Sequence, residues 1–323
     1  MGSLLDRLGV ELPVVQAGMG GGIAGHRLAA AVSEAGGLGT IGMPAAGPGA
    51  LRRELESARR LTGRPVAINL LLPFAGREHF EIAAGADALV SFWGAPRRRT
   101  AGVWLHQCGS VGEALAAQRA GADGVILQGV EAGGHVRGTT PALGLLDSAR
   151  RELGQGYPLW LAGGIADRAD VSEALGAGSE AAVLGTRFLL SEESGAQDAY
   201  RERLLAAHET LLTELFGVGW PAAPHRVVPN QATRRWTAKD RRGPRWVRAL
   251  NRLSAPLAAR APAGIQVRSA ASQRPSRPFF APAPPADGAP PTLVDAGPLY
   301  AGETVARIGE IQPAGRLVGD LTP

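Results

Sequence analysis

The 323-residue chain has one cysteine, one lysine and no apolar run long enough to cross a membrane. The lone cysteine, Cys108, excludes an intrachain disulfide, so we expect a fold held by its core and a cytoplasmic location. A membrane-spanning helix needs about 18 to 20 consecutive apolar residues, so no membrane association is predicted. The lone lysine, Lys239, lies outside the predicted strands, which disfavours an aldolase that forms a lysine Schiff base.

The other basic residues are all arginine, and the formal net charge is +5. Basic residues gather between Arg226 and Arg252, in a stretch that also carries tryptophan and proline. A nucleic-acid groove would use such a cluster, with aromatic side chains between the cations. A solvated surface segment broken by proline is the more typical explanation. We therefore expect no nucleic-acid partner.

Eight short apolar runs recur along the chain and predict β-strands. They cover residues 12–17, 37–42, 65–71, 88–92, 102–107, 124–129, 158–163 and 181–186. The stretches between them, such as SVGEALAAQRAG, have apolar residues at spacings of three and four, which is typical of amphipathic helices. Several end with a glycine shortly before the next buried strand, as in AGADALV and AGADGVI.

Strands that alternate with helices pair in parallel, because parallel neighbours need a crossover connection. Runs that are apolar throughout also suit strands covered on both faces. Eight such units predict an α/β protein with a (β/α)8 TIM barrel. An open doubly wound sheet is the alternative, although the glycine-rich residues 18–25 after the first strand match a dinucleotide-binding turn only weakly.

The strand–helix repeat fades after residue 216, where proline, arginine, glycine and alanine become frequent. We predict a barrel that binds the cofactor over residues 1–236 and an irregular Pro/Arg-rich excursion over residues 237–292. Residues 293–323 regain a helical spacing. This C-terminal segment is predicted to pack back on the barrel.

In a (β/α)8 barrel the carboxyl ends of the strands form the active face. Gly163 and Gly164 follow the seventh predicted strand, and Gly185 with Thr186 follows the eighth. Backbone N–H groups at such turns bind anions, and phosphate sites in this fold often lie there. Without a lysine, a phosphate would be held mainly by backbone amides and Thr186, with Arg187 as a further candidate. The sequence therefore predicts a phosphate-bearing cofactor or substrate, and FMN is a good candidate.

His135 follows the sixth predicted strand, directly after two glycines that free the backbone to bring an imidazole over the barrel mouth. It is a candidate catalytic residue, and a structural histidine that bonds a loop is the alternative. His26, His79, His208 and His225 fall in predicted helices or connections, where we expect surface or packing residues. No metal site is predicted, because the strand ends carry neither paired histidines nor clustered carboxylates.

Several stretches resemble nitronate monooxygenases, formerly called 2-nitropropane dioxygenases. They are QAGMGGG, INLLLP, GADGVILQGVEAGGHVRG, LAGGIADRADVSEALGAGSEAAVLGTRFLLSEES and PLYAGETVARIGEIQPA. The resemblance runs from about Leu12 to Ala314, thins between residues 237 and 292, and implies an FMN-dependent (β/α)8 barrel. FMN-dependent enoyl-acyl-carrier-protein reductases carry a closely similar ESGGH-type segment.

The resemblance also implies roles for individual residues. His135 would be the base that removes a proton from the carbon beside the nitro group. The positions implied to contact FMN are Met19, Gly20, Asn69, Gln107, Gln128, Gly133, Gly134, Gly163, Gly164, Gly185 and Thr186. Two positions depart from the family pattern: Gly18 stands where a proline is usual, and Gln107 stands where some members have a lysine.

The implied reaction is oxidation of a small nitro compound or nitronate by oxygen, which yields a carbonyl compound and nitrite. A homo-oligomer is an open expectation. Three alternatives stay open. The first is an FMN-dependent NAD(P)H reductase of the enoyl-acyl-carrier-protein reductase type. The second is a related biosynthetic barrel that acts on a tailored nitro compound. The third is a flavin- or phosphate-binding barrel without catalysis, whose arginine-rich segment docks a partner.

Overall fold

The computed structural model describes residues 2–100, 102–220, 223–258, 272–277 and 281–323. The strands are β1 (Val14–Gln16), β2 (Gly39–Gly42), β3 (Val66–Leu71), β4 (Ala88–Phe92), β5 (Val103–Cys108), β6 (Gly124–Gln128), β7 (Gly134–His135), β8 (Leu159–Ala162), β9 (Ala181–Leu184), β10 (Leu211–Thr213), β11 (His225–Val228) and β12 (Leu299–Tyr300). The helices are α1 (Leu4–Leu8), α2 (His26–Glu34), α3 (Pro48–Leu61), α4 (Arg77–Ala83), α5 (Val111–Arg119), α6 (Ala142–Leu153), α7 (Arg168–Gly176), α8 (Thr186–Leu189), α9 (Asp198–Leu205), α10 (Gln231–Trp236), α11 (Arg245–Ala258), α12 (Leu293–Ala296) and α13 (Ala314–Leu321), with a 3-10 helix at Glu303–Arg307.

Eight strands form one parallel sheet in the order β1-β9-β8-β6-β5-β4-β3-β2. Its two ends meet where Leu38 donates a backbone hydrogen bond to Val14 and accepts one from Gln16, both at 3.0 Å. The sheet therefore closes on itself. All eight strands predicted from the sequence are present, and the predicted TIM barrel is confirmed.

The apolar side chains of the strands fill two layers, because successive residues of a strand point to opposite faces. One layer lies inside the barrel and includes Leu105, Ile126 and Trp160. The other lies between the sheet and the surrounding helices and includes Trp104 and Leu127. Burial on both faces explains why the strands read as continuous apolar runs.

A second, antiparallel sheet lies beside the barrel and is centred on β11. Its strand β11 pairs with β10, with β12 and with β7, which belongs to the loop after β6. The register places His225 opposite His135 and Val227 opposite Tyr300. This sheet was not predicted from the sequence, because its strands are only two to four residues long.

Two residues of β11 lie in surroundings that differ from those expected from the sequence. His225 lies in a strand rather than a helix or connection, and it is fully buried. Arg226 was expected on a solvated surface segment, and this expectation was wrong. Its guanidinium is buried, pairs with Glu303 at 2.8 Å and donates to the Val130 carbonyl at 2.8 Å. A buried guanidinium needs such partners, since removing a charge from water is costly.

The C-terminal part of the chain returns to the barrel. Leu317, Val318 and Leu321 of α13 are buried in the same cluster as side chains of α2. Within the predicted excursion, the structure describes the helix α11, which the sequence analysis did not foresee. The division of the chain into three units stays a prediction. Among the described helices, none combines the length and the apolar character that crossing a bilayer requires.

We expect Gly39→Ala to lower the free energy of unfolding by about 3 kcal/mol, because overpacking against immobile atoms is costly. A Cβ at Gly39 would lie only 1.9 Å from the Ala29 carbonyl oxygen of α2. Urea unfolding followed by circular dichroism measures the change. The control is Gly63→Ala, where a Cβ would meet no described atom within 4 Å. Equal stability of the two variants would contradict the close packing of α2 on β2.

Candidate active site

A cavity of about 810 Å³ opens at the carboxyl ends of the barrel strands. Its volume lies in the usual range for small-molecule and cofactor sites. All twelve residues that the sequence analysis singled out line this cavity, including His135, Asn69 and Thr186. The structure thus brings together residues that are as far apart in the chain as Met19 and Thr186. Their individual roles stay predictions.

Two glycine turns form one end of the cavity. Gly163 and Gly164 follow β8 with φ angles of 102° and 78°, which favour glycine, and Gly185 follows the neighbouring strand β9. A Cβ at Gly163 would lie 3.2–3.3 Å from backbone atoms of Gly129 and Ala132. Glycine at position 163 therefore allows the turn to pack closely on the loop after β6. N–H groups of glycine turns are able to hold a phosphate.

Thr186 and Arg187 differ in whether they are able to contact a phosphate at the end of the cavity formed by the glycine turns. The Thr186 hydroxyl accepts a hydrogen bond from Gly302 N at 2.9 Å, which leaves its own proton free to donate. Arg187, in contrast, is buried away from the cavity and donates to the carbonyls of Leu190 and Glu310 at 3.1 and 2.7 Å. The expectation that Arg187 helps to hold a phosphate is therefore wrong.

Free amide groups line the middle of the cavity. Neither the Asn69 nor the Gln107 side chain hydrogen-bonds to another residue in the part of the chain that the structure describes. Gly18 lies against Asn69, so closely that a Cβ there would come within 2.2 Å of the Asn69 Cβ. Glycine at position 18 therefore makes room for the Asn69 side chain itself. The free amides of Asn69 and Gln107 are able to bond a flat polar ring.

Gln128 lines the cavity, but its amide already bonds to protein. Its Nε2 donates to the His135 carbonyl at 3.0 Å, and its Oε1 accepts from Arg137 N at 2.9 Å. These two bonds fasten the loop after β6 to the barrel. Gln128 therefore positions the backbone that carries His135.

An aromatic cluster encloses the His135 imidazole. Trp220 stacks on it with the ring centroids 3.7 Å apart and the planes 13° from parallel. Trp93 meets it edge-on at 5.9 Å, and Tyr300 and His225 each lie at 5.5 Å. Trp93 has a φ of 64°, a rare conformation for a bulky residue that tight surroundings must impose.

The two neighbouring histidines have different hydrogen bonds. The Nε2 atom of His225 accepts from Phe216 N at 3.0 Å, and its Nδ1 lies 3.0 Å from the Ala223 carbonyl, to which it must donate. Both nitrogens are therefore used, and the ring is held neutral. Burial lowers the pKa of His225 to about 4. His225 is a structural residue.

His135 lacks such bonds. Its Nε2 is enclosed without a partner, and no described residue bonds to its Nδ1. This observation disfavours a histidine that merely bonds a loop. Burial, and then the proximity of His225, hold the pKa of His135 well below its usual range. The imidazole is thus uncharged at neutral pH and able to accept a proton.

Several residues of the cavity wall were not predicted from the sequence. Trp220, Tyr300 and His79 lie in it, and so do residues 281–284 and 286–290 of the predicted excursion. His79 was expected to be a surface or packing residue, but it borders the cavity. Trp220 sits in the stretch FGVGW, which has no helical or strand periodicity. Only the pairing of β11 with β7 brings that stretch to His135.

The buried histidines make stability depend on pH. His106 and His225 have pKa values of about 4, whereas unfolded histidine titrates near 6.5. The unfolded chain binds more protons between these values, so the free energy of unfolding falls as pH drops from about 6.5 to 4. We expect His225→Gln to reduce that slope by at most about 1.4 kcal/mol per pH unit. Urea unfolding between pH 7 and 4.5 measures it.

The control is His208→Gln, since His208 is exposed. It should keep the slope of the unchanged protein. Equal slopes for both variants would show that His225 is not held neutral.

The chain matches the profile of one protein family over nearly its whole length and individual relatives over about two thirds of it. The profile of the family described as nitronate monooxygenase matches residues 2–93 and 95–323. A nitronate monooxygenase of Pseudomonas aeruginosa is 32% identical over 277 residues, which cover 68% of this chain and 79% of the relative. The (3aS,4S,5R,7aS)-5-hydroxy-7a-methyl-1-oxo-octahydro-1H-indene-4-carboxyl-CoA dehydrogenase of Mycobacterium tuberculosis is 31% identical over 70% of this chain, and the match spans 65% of that enzyme's length.

Solved structures show the same relationship. FabK from Thermotoga maritima superposes with a TM-score of 0.76 at 26% identity and covers 98% of this chain and 94% of its own. The nitroalkane oxidase from Streptomyces ansochromogenes superposes with a TM-score of 0.73 at 27% identity and covers 99% and 96%. The chain belongs to the nitronate monooxygenase family of oxidoreductases.

Proposed function

We propose that the protein uses FMN to oxidise nitroalkanes or their nitronates with oxygen, which yields a carbonyl compound and nitrite. The observation that carries this proposal is the His135 imidazole, which is neutral and free of described hydrogen bonds on the wall of the cavity. A neutral imidazole beside an enclosed cavity is suited to remove a proton from carbon. A cytoplasmic location and a homo-oligomeric state stay predictions.

The residues of the cavity fit FMN. The glycine turns at Gly163–Gly164 and at Gly185 offer backbone N–H groups for the phosphate, with the Thr186 hydroxyl beside them. The free amides of Asn69 and Gln107 are available to bond the edge of the ring system. FMN, when bound, supplies the redox chemistry and passes electrons from the substrate to oxygen.

The protein then has two tasks, to orient the nitro compound and to move one proton. A neutral nitroalkane must lose the proton from the carbon beside its nitro group before oxidation, and that proton goes to His135. Burial lowers the pKa of His135, so the imidazole is neutral at neutral pH and one ring nitrogen has a lone pair for this proton. A nitronate has already lost this proton, so its oxidation does not need the base.

The relatives also support a second candidate function, an FMN-dependent NAD(P)H reductase of the enoyl-acyl-carrier-protein reductase type. The likeness to FabK and the similarity to a carboxyl-CoA dehydrogenase favour it. In such an enzyme NAD(P)H rather than a nitro compound would supply the electrons. The two candidates therefore differ in what reduces the flavin.

We expect His135→Ala to lower kcat/KM for a neutral nitroalkane by about 100-fold or more, because general base catalysis commonly contributes that much. Oxidation of the pre-formed nitronate should change far less, because no proton is removed. Nitrite formation and oxygen uptake are measured with the neutral nitroalkane and with the nitronate, and give kcat/KM for each. His208→Ala, at an exposed position, is the matched control. An equal loss of kcat/KM with the nitroalkane and with the nitronate would rule out His135 as the base.

Anaerobic spectroscopy separates the two candidate functions. We expect the purified protein to show an FMN spectrum that a nitronate bleaches and NADPH does not, because the nitronate is the proposed electron donor. Each reductant is added separately under argon while absorbance is recorded. Bleaching by NADPH alone would establish the reductase instead. A protein that purifies without flavin and binds none when FMN is added would refute the cofactor proposal.

A further inference from the structure

His106 of β5 is a buried histidine that lies outside the cavity. Its neighbour Gln107 lines the cavity, and successive residues of a strand point to opposite faces. His106 therefore shares its face of β5 with Trp104 and Cys108, which belong to the apolar layer between the sheet and the helices. Burial, and then the charge of Arg137, lower the pKa of His106 to about 4. The ring is thus neutral at neutral pH, with one N–H and one lone pair that need partners.

His106 finds these partners in a short chain of hydrogen bonds. Trp104 Nε1, which is able only to donate, donates to the Ser91 hydroxyl oxygen at 2.8 Å. The same oxygen lies 2.8 Å from His106 Nδ1. The ring also bonds to the Gly94 backbone, a contact that by itself raises the pKa of His106. A carbonyl that accepts the ring N–H has this effect, so Nδ1 is left to accept a hydrogen bond from the Ser91 hydroxyl.

These two bonds of His106 reach both sides of Trp93, because Ser91 precedes it and Gly94 follows it in the chain. We call His106 with these two bonds the His106 bridge. Trp93 has a φ of 64° and Gly94 a φ of 146°, both in the region that favours glycine. A bulky residue keeps such a conformation only where its surroundings enforce it. The His106 bridge supplies that enforcement from beneath the turn.

Trp93 in turn packs against the stacked rings of His135 and Trp220. Its ring meets His135 edge-on at 5.9 Å and Trp220 edge-on at 5.5 Å. The guanidinium carbon of Arg137 lies 4.9 Å from the centre of the Trp93 ring. No described residue hydrogen-bonds to the His135 ring, so its orientation depends on the rings packed against it. A shift of Trp93 would therefore turn the His135 imidazole.

We propose that His106 and Ser91 are positioning residues: their hydrogen bond holds Trp93 in its strained conformation, and Trp93 holds the His135 imidazole in the orientation that accepts the substrate proton. This inference rests on the proposed role of His135 as the base. Neither His106 nor Ser91 lines the cavity, so both act through Trp93. Loss of their bond leaves the binding of FMN and substrate in place and slows the step in which His135 takes the proton.

Two substitutions of nearly equal shape at position 106 test the inference. His106→Leu removes both hydrogen bonds, whereas His106→Asn keeps a side-chain oxygen near the position of Nδ1 that is able to accept from Ser91. The FMN-loaded proteins are assayed with a neutral nitroalkane and with its pre-formed nitronate. We expect His106→Leu to lower kcat for the nitroalkane by about 10- to 100-fold with little change in KM, because a misplacement of about 1 Å costs up to about 100-fold. His106→Asn should recover most of that loss, and oxidation of the nitronate should change far less in both variants.

A matched pair of serine variants distinguishes positioning from a general loss of stability. Ser91→Ala and Ser33→Ala each remove one buried hydroxyl that makes two hydrogen bonds. Ser33 bonds the Pro65 carbonyl at 2.7 Å and Gly39 N at 3.1 Å, at the amino ends of β2 and β3 and away from the cavity. We expect both variants to be less stable, and only Ser91→Ala to lose kcat for the nitroalkane. Equal kcat values in the two serine variants, or equal losses in His106→Leu and His106→Asn, would overturn the inference.

Histidine NMR separates a failure of this inference from a failure of the proposed function. The chain has six histidines, so the spectrum of protein with isotope-labelled histidine is simple, and His135→Gln assigns the His135 signals. Ring currents of the adjacent tryptophans displace these signals, so a turn of the imidazole moves them. In the protein as purified, we expect His106→Leu and Ser91→Ala to shift the His135 signals, and His106→Asn and Ser33→Ala to leave them in place. Unmoved signals in His106→Leu would overturn the inference even if nitroalkanes are oxidised, whereas shifted signals without any nitroalkane oxidation by the unchanged protein would refute the proposed function alone.

Discussion

The antiparallel pairing of β11 with β7 and β12 is the contact on which the active face depends. It places His225 opposite His135 and carries Tyr300 to the same edge. Gly133 permits this approach, because a Cβ there would lie 2.5 Å from the backbone of Ala301 and Gly302. Without the pairing, the loop after β6 would be held mainly by Gln128, and His135 would lose three of its aromatic neighbours. The barrel supplies the cavity, and the second sheet encloses it.

Burial without counter-charge is the common electrostatic feature of this face. The low pKa of His135 follows first from burial among aromatic rings and then from the proximity of His225. Two buried cations of this part of the fold bond to protein groups. Arg226 pairs with Glu303, and Arg187 donates to the backbone carbonyls of Leu190 and Glu310. Both guanidinium groups tie segments together instead of facing a ligand.

The barrel was predictable because its signals are local and repeated. Each buried strand is apolar throughout, each helix has its own spacing, and the two glycines after β8 are required by a turn with positive φ. The twelve predicted cavity residues are found together for the same reason, since strand ends of a closed parallel sheet converge. Arg187 was misplaced, because a sequence shows that a side chain follows a strand but not which way it points.

The amino-acid sequence by itself determined the eight-stranded barrel, the face on which the cavity lies, and His135 as the candidate base. Only the tertiary structure decided what surrounds that base. Trp220, His225 and Tyr300 come from short strands and irregular segments without periodicity, more than 80 residues beyond His135 in the chain. Their positions are set by backbone pairing and side-chain packing between distant segments, and no local pattern of residues encodes such contacts.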